Sequence, residues 1–259
     1  MVGIFDSGIG GLTALNALRK DYPLCDIAYF GDTAHLPYGS RSEGTIARYA
    51  AAALSTLAAL SPEAVLVACG TVSTVCLPEL AAGYPFPVYG ITEAGTAAAL
   101  AAAPHGKIAV LGTEATIRAG GFSRRILARR PDAILTCLAC PIFVFLAESG
   151  MNRPDDPVAR LAVLRTLAPL LADPPEAILL GCTHFPWLSG LIAPLFPEAT
   201  LIDCGAAAAR ALGRQLRVPA GQGRTRFYIT DSAAAFQNAA YAVSGRRPDG
   251  EFFEVTPAD

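Results

Sequence analysis

Two cysteines stand at matched places in the chain. Cys69 follows the apolar run Ala64-Val65-Leu66-Val67 within Ala68-Cys69-Gly70-Thr71, and Cys182 follows Ala177-Ile178-Leu179-Leu180 within Gly181-Cys182-Thr183-His184. They lie close to half the chain length apart. Each run reads as a buried parallel strand that stops on a thiol, with a threonine opening a turn into a helix. Two like strand ends suggest two like half-molecules facing each other across a cleft. A thiolate is a competent base, and a neighbouring imidazolium or a helix N-terminus favours it. His184 is two residues from Cys182. Asp6 and Asp32 close two further apolar runs and add the carboxylates that proton transfer uses. Three readings compete with this one. Free cysteines are often simply buried at strand ends. Zinc would need a better ligand spacing than Cys-x-His with one distant cysteine. A Cys–His hydrolase would leave the second cysteine unused.

Strands and helices alternate along the rest of the chain. Strands are expected at 2–5, 26–30, 64–67 and 87–91, then at 108–112, 133–137, 177–180 and 200–203, and in the tail at 226–230 and 251–255. Helices are expected from 12, at 42–60, 94–103, 141–150 bearing Glu148, 155–171, 186–195, 204–216 and 233–243. This alternation predicts an α/β fold of parallel, doubly wound sheets covered on both faces. Ligands bind such sheets beyond the carboxyl ends of the strands. Asp6, Ser7, Asp32, Cys69, Thr71, Cys182, Thr183 and His184 all fall there. The loop Asp6-Ser7-Gly8-Ile9-Gly10-Gly11 misses the dinucleotide spacing, and an acid at its mouth repels phosphate. Its N–H groups could hold a small carboxylate, or Asp6 or Ser7 could be a plain helix cap. Thr113-Glu114-Ala115-Thr116 resembles a capping box.

Composition narrows the class. The 259 residues are 53 % apolar and 16 % charged, enough for a sizeable core and unlike a disordered chain. Net charge is −2 and no basic face stands out, so no nucleic-acid partner is expected. The pairs Arg124-Arg125 and Arg129-Arg130 read as helix surface. The longest apolar stretch, 49–60, is too short to span a bilayer, so no membrane association is expected. Met1 leads straight into a strand, with no leader in view. Seven scattered cysteines argue against a disulfide framework and for a reducing cytoplasm. Cys137 and Cys140 have C-x-x-C spacing without a second pair and read as packing residues.

Several motifs, in order, resemble the bacterial glutamate racemases. They are Phe5-Asp6-Ser7-Gly8, Gly31-Asp32-Thr33, Pro37-Tyr38-Gly39, Ala68-Cys69-x-Thr71, Leu111-Gly112-Thr113-Glu114-x-Thr116, Cys140-Pro141 with Glu148, Gly181-Cys182-Thr183-His184-Phe185-Pro186 and Leu201-Ile202-Asp203. The resemblance covers nearly the whole chain. It implies a cofactor-independent enzyme of two similar α/β domains, related by a pseudo-two-fold, with the active site between them. The domains would be 1–92 with 205–259, and 93–204. The two cysteines would act on opposite faces of the substrate Cα, Cys69 assisted by Asp6 and Cys182 by His184. Cys69 would act on the D-enantiomer and Cys182 on the L-enantiomer. Asp32 and Glu148 match supporting acids. Ser7, Pro37, Tyr38, Gly39, Gly70, Thr71, Thr113, Thr116 and Thr183 match substrate-holding positions. The family forms dimers, so a homodimer is the default assembly.

One position departs from the pattern. The family usually has asparagine after the first cysteine, and this chain has Gly70. A lost hydrogen bond to a charged group costs about 1.5–3 kcal/mol. The expectation is therefore that Gly70→Asn restores an amide beside Cys69 and raises glutamate turnover. The change also leaves open a racemase for aspartate or another amino acid, or a weakly active racemase-like binding or regulatory protein. His35 and Thr92-Glu93-Ala94 sit slightly off the family pattern as well.

Overall fold

Short apolar runs become strands buried on both faces, and the stretches between them become helices, in the computed structural model, which describes residues 1–216 and 220–256. The chain begins β1 (Val2–Asp6), α1 (Leu12–Asp21), β2 (Ile27–Gly31), α2 (Glu43–Ala58), β3 (Ala64–Val67), α3 (Gly70–Val75), α4 (Leu77–Leu80), β4 (Val88–Gly90) and α5 (Ile91–Ala102). A second series follows as β5 (Lys107–Gly112), α6 (Glu114–Ala119), α7 (Gly121–Arg129), β6 (Ile134–Ala139), α8 (Pro141–Glu148) and α9 (Pro157–Leu167). It continues through β7 (Ala177–Leu180), α10 (Ser189–Ile192), β8 (Thr200–Asp203) and α11 (Cys204–Gln215). The tail adds β9 (Thr225–Ile229), α12 (Ala233–Ser244) and β10 (Glu251–Glu254).

The strands form two sheets, ordered β10-β9-β2-β1-β3-β4 and β6-β5-β7-β8, and every pairing is parallel. Both sheets contain the order second-first-third-fourth of their own series. The third strands, β3 and β7, are buried at every position, because parallel sheets are covered on both faces. Cys69 and Cys182 each stand two residues beyond them, so the half-chain spacing is a topological equivalence. The helices that follow the fourth strands cross over. α5 packs on α7, β7 and β8, α11 packs on α1, β3 and β4, and the two pack on each other. β9 and β10 extend the first sheet beyond β2.

Several expectations change at the boundaries. The helix expected at 186–195 is broken into the 3-10 turn Phe185–Leu188, α10 and the 3-10 turn Ala193–Leu195. Pro186 and Pro194 lack the N–H that a continuous helix needs. The helix expected at 155–171 starts with Pro157 after the cap Asp156 and stops at Leu167, ahead of Pro169. The cap of α1 is Gly11, so neither Asp6 nor Ser7 caps it. Cys140 is buried as a packing residue, but Cys137 is exposed, because β6 is an edge strand and alternate residues face outward. Arg125 and Arg129 lie on the surface of α7, where they pair with Glu93 of α5. No helix among the described residues is long and apolar enough to cross a membrane.

Candidate active site

The carboxyl ends of both sheets meet at a cavity of about 320 Å³, at the small end for ligand sites. Cys69 and Cys182 both line it. Cys182 Sγ lies 3.6 Å from His184 Nδ1, and His184 Nε2 lies 3.0 Å from Glu148 Oε1. Burial alone would push the His184 imidazole down. Its hydrogen bonds to Cys182 and Glu148, and their charges, hold it well above its ordinary value. The imidazole beside Cys182 therefore keeps its proton more readily than a free one. Proline at the start of α8 sets the helix that carries Glu148 back to His184.

Cys69 has a different setting. Its sulfur lies 3.7 Å from Ser7 Oγ, in a buried corner with no cationic partner among the described residues. Burial, with the Asp6 carboxylate second, pushes the Cys69 thiol up to about 12. The Val72 N–H and the Ser7 hydroxyl pull in the opposite sense. Asp6 is fully buried and accepts from Gly8 N–H at 3.0 Å and from Thr183 Oγ1 at 3.1 Å. The second contact ties the end of β1 to the turn after β7. One site thus holds a protonated thiol against one wall and an imidazolium-paired thiol against the other.

Asp32 does not line the cavity. Its buried carboxylate accepts from Thr230 Oγ1 at 2.7 Å, from the Tyr38 hydroxyl, and faces His35 Nδ1 at 2.9 Å. His35 in turn stacks on Tyr49 with ring centroids 3.9 Å apart. Burial, reinforced by Asp32, keeps Tyr38 a neutral phenol. Asp32 therefore acts through Tyr38, holding the Pro37-Tyr38-Gly39 wall in place. Thr116 also sits behind the wall. Thr71 Oγ1 and Thr113 Oγ1 are 2.9 Å apart across the cleft, and Thr116 Oγ1 is 2.9 Å from Thr113 Oγ1. Thr113 also accepts from Thr116 N–H at 3.2 Å, which makes one half of the capping box seen in sequence.

Gly70 corrects a sequence expectation. A Cβ built on it would fall deep inside the van der Waals envelope of the Gly181 carbonyl oxygen, and 2.9 Å from that carbonyl's carbon. The space where an asparagine side chain would start is filled by backbone from the other half. Gly70→Asn therefore cannot simply add an amide, and the expected gain in turnover is withdrawn.

A family model described as Asp/Glu/Hydantoin racemase matches residues 15–212. The chain belongs to this family. A glutamate racemase of Thermus thermophilus is 38 % identical over 250 residues, covering 95 % of this chain and 93 % of that protein. The crystal structure of a Thermus thermophilus glutamate racemase with β-chloro-D-alanine superposes with a TM-score of 0.86 at 36 % identity, covering 98 % of this chain and 96 % of that one. The Francisella tularensis glutamate racemase with D-glutamate gives 0.89 at 28 % identity, covering 98 % and 97 %.

This amino-acid racemase brings together most of the residues its sequence nominated. Twelve of the fifteen line the cavity, and Asp6, Asp32 and Thr116 stand behind it. Sequence reasoning passed over Val144 and Phe145, which line it with Pro141 and Glu148. The spacing 141, 144, 145, 148 is one face of a helix, so the period around Glu148 was the available signal. Glu114 lines the cavity too, from a position read as part of a cap and of a family motif but not as a site residue. Among the described residues, no lysine or arginine lines the cavity. Ligand carboxylates there would be met by hydroxyls, by the free N–H groups that open α3 and α6, and by the His184 imidazolium.

Proposed function

We propose that this racemase interconverts L- and D-glutamate without a cofactor, using Cys69 and Cys182 as opposed acid and base. The observation that carries the reading is that two topologically equivalent thiols line one small cavity, Cys182 beside His184 and Cys69 in a buried corner beside Ser7. Cys182, beside the His184 imidazolium, is suited to take the Cα proton of L-glutamate. Cys69, pushed up to about 12, is suited to return a proton from the opposite face. The Cα–H bond breaks toward Cys182 and a new bond forms with the Cys69 proton. Turnover leaves Cys182 as thiol and Cys69 as thiolate, the state that D-glutamate needs. The carbanion-like intermediate is stabilised by donors fixed in advance, in a site that excludes water able to exchange the proton. Asp6, buried behind the cavity, helps keep the Cys69 thiol protonated through its charge. The product would be D-glutamate for peptidoglycan, made in the cytoplasm.

The glutamate assignment rests on the relatives, which are named glutamate racemases over nearly their full length. Circular dichroism of an L-glutamate solution tests it, with L-aspartate in parallel. Loss of signal with glutamate is expected. Loss with aspartate alone would move the substrate. No loss with either would favour a binding or regulatory protein. Cys69→Ser and Cys182→Ser should each abolish racemisation, because serine is far too weak an acid to supply the base. Full racemisation in either variant would end the two-thiol reading.

A further inference from the structure

The two thiols are joined by an unusual junction. Gly70 directly follows Cys69, and Gly181 directly precedes Cys182. The Gly181 carbonyl occupies the place of a Gly70 side chain. Gly181 has no room to yield. Its N–H donates to Leu111 O at 2.8 Å. A Cβ at Gly181 would lie 2.8 Å from that same oxygen and 2.9 Å from Phe122 Cε2. The Gly181 backbone is thus tied to β5 through its N–H and sits close against the Phe122 ring. A side chain at position 70 must therefore part the Cys69-Gly70 and Gly181-Cys182 backbones by about an ångström or more, since carbon and oxygen do not approach so closely.

We infer that Gly70 is a positioning residue that sets the span between the two thiols. The contact sits within one residue of each sulfur-bearing backbone. A displacement there reaches the Cys69–Cys182 separation with little to absorb it. Two further contacts follow the same joint: the Thr71–Thr113 hydroxyl pair at 2.9 Å and the Thr183–Asp6 bond at 3.1 Å. Both cross from one half to the other and both would lengthen. The inference rests on the two-thiol reading above.

The span matters for racemisation and much less for deprotonation alone. Racemisation needs both sulfurs within reach of one Cα. Elimination from β-chloroalanine needs one. There the thiolate takes the Cα proton, the Cα–H electrons form the Cα–Cβ double bond, and chloride leaves with the C–Cl pair. Water then converts the enamine to pyruvate and ammonium. In Gly70→Ala, glutamate racemisation should fall about 100-fold, the usual cost of misplacing a catalytic group by about an ångström. Pyruvate release from β-chloroalanine should fall by less than about tenfold, because one thiol still meets its proton. A purely structural role for Gly70 would lower both rates in parallel.

The experiment measures both rates, with a thermal melt, on wild type, Gly70→Ala, Cys69→Ser and Cys182→Ser. The inference is overturned if Gly70→Ala racemises at the wild-type rate, if both rates fall together, or if the variant fails to fold. The last outcome would make Gly70 a folding requirement and not a positioning residue. If instead either serine variant still racemises glutamate, the two-thiol reading itself fails.

Discussion

Replacing Glu148 with glutamine keeps the shape of the side chain and removes its charge. The perturbation acts on His184, whose Nε2 is 3.0 Å from Glu148 Oε1. That bond, with the one to Cys182, holds the imidazole well above its ordinary value against the pull of burial. A hydrogen bond to a charged group contributes about 1.5–3 kcal/mol. The Glu148 side chain is 32 % exposed, so solvent screening argues for the lower end. The imidazolium should therefore lose its proton at lower pH in Glu148→Gln than in wild type. If the imidazolium serves Cys182, the alkaline limb of kcat/KM against pH moves to lower pH. Above that limb the variant should be about tenfold slower than wild type, and in the plateau the two should converge. Circular dichroism of L-glutamate across pH reads both limbs. An unchanged profile, or a uniform loss at every pH, would refute the coupling. The same pair also bears on stability. A raised imidazole stabilises the fold fully below its ordinary titration range and loses that contribution as pH rises through the raised value. Wild type should therefore lose more stability than Glu148→Gln on going to alkaline pH.

Two further outcomes follow from the site. Thr183→Val removes the donor that reaches the fully buried Asp6 carboxylate at 3.1 Å, so urea denaturation should show a loss of about 1.5–3 kcal/mol; a loss no larger than that of an exposed threonine would mean the bond is not made in solution. Exhaustive chelation should leave racemisation unchanged, because both proton-transfer groups proposed are protein thiols; loss of activity restored by added zinc would contradict the reading.

The strand ends were legible because burial on both faces writes an unbroken apolar run, and parallel topology sends the residues that follow such runs to one end of the sheet. Asp6, Cys69 and Cys182 could be placed on that ground alone. Glu148 is a different case. Nothing local to the helix says that it reaches His184; the family motifs nominated it, and the approach of α8 to the turn after β7 makes the contact. Asp32 shows the limit from the other side. A buried acid at a strand end looks catalytic in sequence, yet three polar neighbours, Thr230, Tyr38 and His35, claim its oxygens. Thr230 comes from the far end of the chain, a contact that no local pattern encodes. Gly70 was misjudged for a related reason. A missing side chain reads as a missing group, while in space it is room for the carbonyl of Gly181, far along the chain. Close approach between halves leaves no mark in either half's periodicity.

The asymmetry of the two thiols can be tested without substrate. Both are nearly buried, with 4 % of Cys69 and 7 % of Cys182 exposed, so access alone does not separate them. Charge does. With Cys69 pushed up to about 12, it is overwhelmingly thiol at about pH 8, and the thiolate is the reacting species. Cys182 has an imidazolium 3.6 Å from its sulfur. Iodoacetamide at that pH should therefore alkylate Cys182 well before Cys69, with the exposed Cys137 as an internal reference on the protein surface. Peptide mapping by mass spectrometry gives the three rates. His184→Asn should slow Cys182 and leave Cys69 and Cys137 unchanged, because only Cys182 loses its counter-charge. A free enzyme in which Cys69 is the faster thiol would invert the assignment of which sulfur begins the L-to-D direction.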